Sequence, residues 1–467
     1  MRSQRRGDAE EVALEQPRAR GSIARRAHRD ALRRSPIAIE AARSQWLHIS
    51  AGTLIDGAGH ILRGGEVLVR GRKIVEVGPA GSVRLPSTDV REIDARDGTV
   101  IPGLIDCHLH VTYSGHVGMQ QLEWPRSLEL AALSAGANAT KALRRGYTSA
   151  LDVGCRGKIG VATKTAIAEG TIAGPDLRVS GQIISAVGGP LDLWPSSMRI
   201  DPATRLAALV SGAEEIRRVV REQAKDGVDN VKLQISGSTV QSKRRGRASV
   251  LSGDELRAAT DTAHDLGLST AAHAEGPEAI TAAIEAGFDT IQHASFIDDA
   301  TISLLDSHPQ ARLVFTLGVY DDIIHIGPRI GYPNESRQRV DAVWDRMVAA
   351  VRLAYDRGVP FAVGSDAGGA VHPHGRYARD VVLLVRACGM PVEEAIRSAT
   401  SHAAEAAWLP GTGFIAPDRD ADLVVVEGDL TARIELLEDE ANIAVVVRKG
   451  EIVVGAAASR ATALTSA

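Results

Sequence analysis

Hydrophobic positions follow two rhythms along the chain. From residue 46 onward, short apolar runs at 46–49, 66–70 and 73–77 read as strands, with Gly71 where a hairpin turn belongs. A matching set returns near the other end, at 422–426, 443–447 and 451–454, the last two flanking a Lys449-Gly450 turn. Each group has too few strands to bury a core alone, so the pattern predicts one small β domain assembled from 45–98 and 415–460. Between them eight apolar runs recur, at 99–110, 148–154, 176–185, 230–236, 269–274, 290–295, 311–317 and 360–367. Helical spacing fills several of the gaps, as at 256–266 and 344–355. Eight β-then-α units predict an α/β fold, a (β/α)8 TIM-like barrel over 99–414, beside a small β-sandwich domain built from both terminal regions. A doubly wound open sheet is the rival. It asks for a Gly-rich phosphate loop after the first strand, where Cys107-His108-Leu109-His110 stands instead.

Residues 1–44 show neither rhythm. They are crowded with arginine, acids such as Asp8, Glu10, Glu11 and Glu15 are interspersed, and no apolar stretch is long enough for a signal-peptide core. A disordered tail is the expectation, with a basic arm or targeting segment as the alternative. Over all 467 residues, 54 Lys+Arg against 58 Asp+Glu leave a formal charge of −4, which argues against a generally basic nucleic-acid binder. Hydrophobic residues make up 44%, enough for a sizeable core, while no run approaches the roughly 20 apolar residues of a membrane span. Cys107, Cys155 and Cys388 lie too far apart in sequence for a CxxC site or a disulfide scaffold. A soluble, cytoplasmic protein with no membrane partner is expected.

The candidate chemistry gathers at the ends of the proposed strands. On a strand, positions i and i+2 share a face, so His108 and His110 can both turn toward one metal while Cys107 and Leu109 face away. His273 ends the fifth run, His293 lies in the sixth and Asp366 in the eighth. One histidine would mean little, but four with a carboxylate suit Zn²⁺ or a neighbouring divalent metal. Lys232 interrupts the apolar run Val231-Lys232-Leu233. Buried and unpaired, its ammonium would lose hydration and its pKa would fall. A neutral amine can take up CO₂ as a carbamate, which then serves as a carboxylate; alternatively Lys232 snorkels or pairs with an acid such as Asp229.

These residues fall into motifs. Pro102-Gly103-Leu104-Ile105-Asp106-Cys107-His108-Leu109-His110, Val231-Lys232-Leu233, Ala272-His273-Ala274-Glu275-Gly276, Gln292-His293-Ala294-Ser295 and Gly364-Ser365-Asp366-Ala367-Gly368 occur in that order, and Gly413-Phe414-Ile415 leads into Asp420-Ala421-Asp422-Leu423-Val424-Val425. Together they resemble the amidohydrolase superfamily, in the imidazolonepropionase-like branch that includes Xaa-Pro dipeptidases and ochratoxin-degrading amidohydrolases. The resemblance implies a binuclear hydrolase. His108 and His110 would hold the more buried metal, His273 and His293 the more exposed one, and carboxylated Lys232 would bridge them. Asp366 would bind the first metal and the bridging hydroxide and move the proton from the attacking water to the leaving nitrogen, so that Asp366 and His293 are the catalytic candidates. Zn²⁺ is expected, with Co²⁺ or Mn²⁺ as alternatives, and a homo-oligomer is implied.

The expected substrate is a small molecule with an amide-type C–N bond: an N-acyl amino acid, anilide, carbamate or urea, including xenobiotics and mycotoxins. An Xaa-Pro dipeptidase is the alternative, followed by a mononuclear deaminase, which Lys232 argues against, and a non-catalytic scaffold. Substrate contacts are expected from His374 and His372 in the loop after the last run, and from Tyr320, His116, Trp194 and the basic stretch around Lys243. Two departures from the family pattern, Glu275 and the Gly188-Gly189-Pro190-Leu191-Asp192-Leu193-Trp194 stretch, fall where the substrate is expected.

Overall fold

A computed structural model describes residues 45–115, 126–198, 200–240 and 248–455. Strands β1 (Trp46–Ile55), β2 (Ile61–Arg70), β3 (Lys73–Pro79) and β4 (Val90–Pro102) lead the chain. Strands β5 (Leu104–Leu109), β6 (Tyr147–Asp152), β7 (Asp176–Val179), β8 (Ile183–Ala186), β9 (Ala207–Val210), β10 (Asn230–Gln234), β11 (Ser269–Ala274), β12 (Thr290–His293), β13 (Arg312–Phe315) and β14 (Phe361–Val363) follow. The last are β15 (Leu423–Glu427), β16 (Ile443–Arg448) and β17 (Glu451–Val454).

The two ends meet in one seven-stranded sheet of order β17-β16-β15-β4-β1-β2-β3, with β15 antiparallel to β4 through pairs such as Val425 with Val100. Alternation along its strands explains the burial. Leu423 and Val425 join Leu47, Ile49, Val67 and Val69 in a small apolar cluster, whereas Val424 and Val426 point the other way into the main core. The apolar run 99–110 therefore divides. Its first part, through Pro102, belongs to β4 and this sheet, and only from Leu104 does the chain enter a parallel sheet. An unbroken apolar run hides such a break because both halves are equally buried.

The middle of the chain forms parallel sheets of order β5-β6-β7 and β14-β13-β12-β11-β10-β8-β9. Single parallel bridges link the two sheets, Ser180 just past β7 with Asn230 of β10 and Leu109 of β5 with Ala367 just past β14. The run 176–185 splits into β7 and β8, and β9 pairs with β8 although the apolar pattern did not mark it. Helices lie between many of the strands. That at Gly253–Asp265 starts in a capping box in which Ser252 and Glu255 satisfy each other's backbone N–H. None among the described residues is long and apolar enough to cross a membrane.

One contact fixes how closely β5 and the segment after β14 approach. A Cβ on Gly364 would stand 2.3 Å from Cβ of His108 and 2.6 Å from its backbone nitrogen. Gly364→Ala should therefore push the two strands apart and cost about 3 kcal/mol, read as a lowered thermal midpoint. An unchanged midpoint would show that the strands can separate without loss.

Candidate metal centre

His108, His110, Lys232, His273, His293 and Asp366 line one cavity of ≈ 120 Å³. His110 follows β5 directly, His293 is the last residue of β12, and Asp366 lies just past β14, so the parallel strands deliver them to one end. Nε2 of His108 and of His110 lie 3.6 and 3.5 Å from Oδ1 of Asp366. The rings of His108 and His293 are 4.7 Å apart between centroids, and those of His273 and His293 4.3 Å. Ligand atoms of His108, His293 and Asp366 all fall within 4.8 Å of one another, close enough to share one ion. Cys107 turns the other way, its thiol donating to the Ala403 carbonyl at 3.3 Å.

The imidazoles are oriented from behind. Nδ1 of His108 is 2.7 Å from Oε1 of Gln292, and Nδ1 of His110 is 2.9 Å from the Gly154 carbonyl. Both partners only accept, so each Nδ1 carries the proton and each Nε2 keeps its lone pair for a cation. Nδ1 of His293 meets Thr316 Oγ1 at 2.7 Å. Nε2 of His273 is 3.4 Å from the Gly237 carbonyl, which leaves Nδ1 as its ligand atom. Gln292→Ala should loosen His108 and weaken metal binding by about 10–100-fold, measured by chelator competition; undiminished affinity would deny Gln292 this role.

Burial dominates the electrostatics. It pushes the His110 and His273 imidazoles down to about 3 and those of His108 and His293 well below the usual range, with the Lys232 charge adding to the effect. Burial also lowers the Lys232 ammonium to about 7 and raises the Asp366 carboxyl to about 7. Lys232 is 2% exposed and its Nζ has no hydrogen-bond partner among the described residues. The acid that might have paired with it is engaged elsewhere, since Asp229 Oδ2 holds Lys164 Nζ at 2.8 Å. Neutral imidazoles, a carboxylate and an orphaned amine in one pocket form a donor set suited to divalent cations. His293 and Asp366 also sit at φ 72° and 55°, left-handed backbone that non-glycine residues adopt only under constraint.

The substrate-side residues separate. Tyr320 lines the cavity, and its hydroxyl donates to Glu275 Oε1 at 2.9 Å. Glu275 is not a lining residue; it accepts from Thr239 N and Oγ1 at 2.9 and 2.5 Å and holds that loop to Tyr320. His374 and His372 do not line the cavity. His374 Nε2 meets the carbonyls of His110 and Tyr113 at 3.2 and 3.1 Å and so braces the turn after β5, while its Nδ1 is held by the Tyr377 hydroxyl at 3.0 Å. His372 is buried, with Nδ1 2.9 Å from Asp322 Oδ2. Trp194 lines an adjacent hollow. His116 and Lys243 lie outside the described residues. The supporting role of Gln292 and the apolar lining of Ile183, Leu206, Val240 and Val319 escaped the sequence reading, whereas Leu191 belongs to the stretch expected on the substrate side. Only Gln292 left a signal there, as a polar residue inside a buried strand.

Known proteins share this arrangement of elements. Ochratoxinase of Aspergillus niger is 27% identical over 426 residues, covering 87% of this chain and 86% of that protein. A prolidase crystallised with N-methylphosphonate-L-proline superposes with a TM-score of 0.77 at 30% identity, covering 88% of this chain and 99% of that one. A Xaa-Pro dipeptidase with bound methionine gives 0.78 at 29% identity, covering 87% and 99%. The sequence profile of the amidohydrolase family matches residues 99–453. With three-quarters of its length inside that profile, the chain belongs to the amidohydrolase family, on the branch that holds ochratoxinase and the Xaa-Pro dipeptidases.

Proposed function

We propose that this protein is a binuclear metal-dependent hydrolase of amide-type C–N bonds. The observation that carries the reading is the buried, unpartnered Lys232 Nζ in the same cavity as four neutral imidazoles and Asp366. The neutral amine would attack CO₂, forming an N–C bond and releasing one proton, and the resulting carbamate supplies the second carboxylate that two cations require. His108, His110 and Asp366 would hold one cation and His273 and His293 the other, with the Lys232 carbamate between them. Two divalent ions, Zn²⁺ by the nitrogen-rich donor set, would supply an activated water and polarise the scissile carbonyl. Asp366 would take the proton of that water and carry it to the leaving nitrogen. His293, pinned by Thr316, would keep the carbonyl side of the site fixed. We read β5, β6, β7, β10, β11, β12, β13 and β14, joined by the two single bridges, as one closed eight-stranded barrel, with β8 and, through it, β9 paired onto β10 beside it.

The substrate would be an N-acyl amino acid, anilide, carbamate or urea. Dipeptide hydrolysis at Xaa-Pro is the second reading, favoured by the similarity to the two prolidase-type structures. Elemental analysis and a hydrolysis screen of these classes, Xaa-Pro dipeptides included, test the proposal. About two metal equivalents per chain, with activity lost to a chelator and restored by Zn²⁺, are expected. No turnover of any class by metal-loaded protein would overturn it.

A further inference from the structure

The metal cavity shares part of its wall with a second hollow. Leu191 and Leu206 line both, and the second, of ≈ 290 Å³, is more than twice the size of the first. The other walls of this hollow include Leu193, Trp194, Met198 and Ile200. Its rim carries two exposed apolar side chains, Val187 at 59% and Met198 at 47% exposure, an arrangement that water alone does not reward. The walls are held in place. Asp192 Oδ2 accepts from the Gly188 N–H at 2.6 Å, and Gln182 Nε2 donates to the carbonyls of Pro202 and Arg205 at 2.9 and 2.6 Å. The stretch that builds it is the one where Pro190-Leu191-Asp192-Leu193-Trp194 departs from the family pattern.

We propose that this hollow binds a bulky apolar arm, an aryl group, of the amide whose C–N bond lies over the metal residues. This rests on the hydrolase reading above and names its substrate class. The cavity beside the histidines is smaller than the roughly 300 Å³ at which pockets for whole ligands begin, so a substrate of ordinary size needs the adjoining space. An aromatic ring buries more apolar area per rotatable bond than any aliphatic chain, and Trp194 offers it an aromatic partner.

The test is calorimetric titration of metal-loaded, full-length protein with 2-naphthamide. The comparison is with Leu209→Trp, which fills the hollow from a wall that the metal cavity does not share. Binding weakened about tenfold or more in Leu209→Trp, with metal content and thermal midpoint preserved, is expected. Wild-type tryptophan fluorescence should respond to 2-naphthamide, and Trp194→Ala should abolish the response; this second readout decides if Leu209→Trp fails to fold. No binding, or equal affinity for wild type and variants, would overturn the inference. Absence of hydrolysis with the binding pattern intact would instead sink the hydrolase reading alone.

Discussion

Lys232→Met is expected to abolish hydrolysis, by at least about 10³-fold, while stabilising the metal-free chain. The two effects have opposite signs because one side chain plays two parts. Outer residues that merely orient metal ligands cost about 10–100-fold when lost, so removing the group proposed to stand between two cations should cost more. Metal content should fall with the activity. In the metal-free chain, however, the amine is a buried polar group without a partner, 2% exposed. Such a group costs about 1–3 kcal/mol, and a thioether chain of similar volume removes the penalty. The measurements are turnover, elemental analysis and thermal denaturation with chelator present. Full activity with full metal content would refute the bridging role, and an unchanged metal-free midpoint would show that the amine finds a partner in solution.

Asp366→Asn should lower turnover of an amide by about 10³-fold and that of a matched 4-nitrophenyl ester by at least tenfold less. The amide oxygen of asparagine keeps the shape of the side chain, including its place 3.5–3.6 Å from His108 and His110, but accepts no proton near neutral pH. A nitrogen leaving group must be protonated to depart, whereas 4-nitrophenolate leaves without help. A pure metal-ligand role for Asp366 would depress both substrates equally. Equal losses would therefore remove the proton-carrying assignment while leaving the ligand assignment intact.

Much of the site was legible because metal ligation uses few residue types at strand ends. The His108–His110 pair, Lys232 in an apolar run, His273, His293 and Asp366 all line the same cavity. Two of the expected substrate contacts fall outside that cavity. His374 and His372 carry the same side chain as the proposed ligands, and nothing along the chain reveals that they stand outside the cavity, with both His374 nitrogens hydrogen-bonded and His372 Nδ1 turned to Asp322. The apolar lining was illegible for the opposite reason, since Leu206 or Val319 looks like any core residue until the cavity is seen. In the fold, the uniformly apolar run Leu423–Val426 read as a strand but not as one that serves two cores, and the division of 99–110 at Gly103 was likewise masked by burial on both sides.

The pairing of Val100 with Val425 has a consequence for biogenesis. When a ribosome has released β1 to β4, β15 is still some 320 residues from synthesis, at 5–20 residues per second a wait of roughly 15–65 s. Throughout that interval one edge of β4 is open, an invitation to cross-pairing between nascent neighbours. Chaperone demand during translation, rather than the equilibrium stability of the finished molecule, should then limit the yield of active protein.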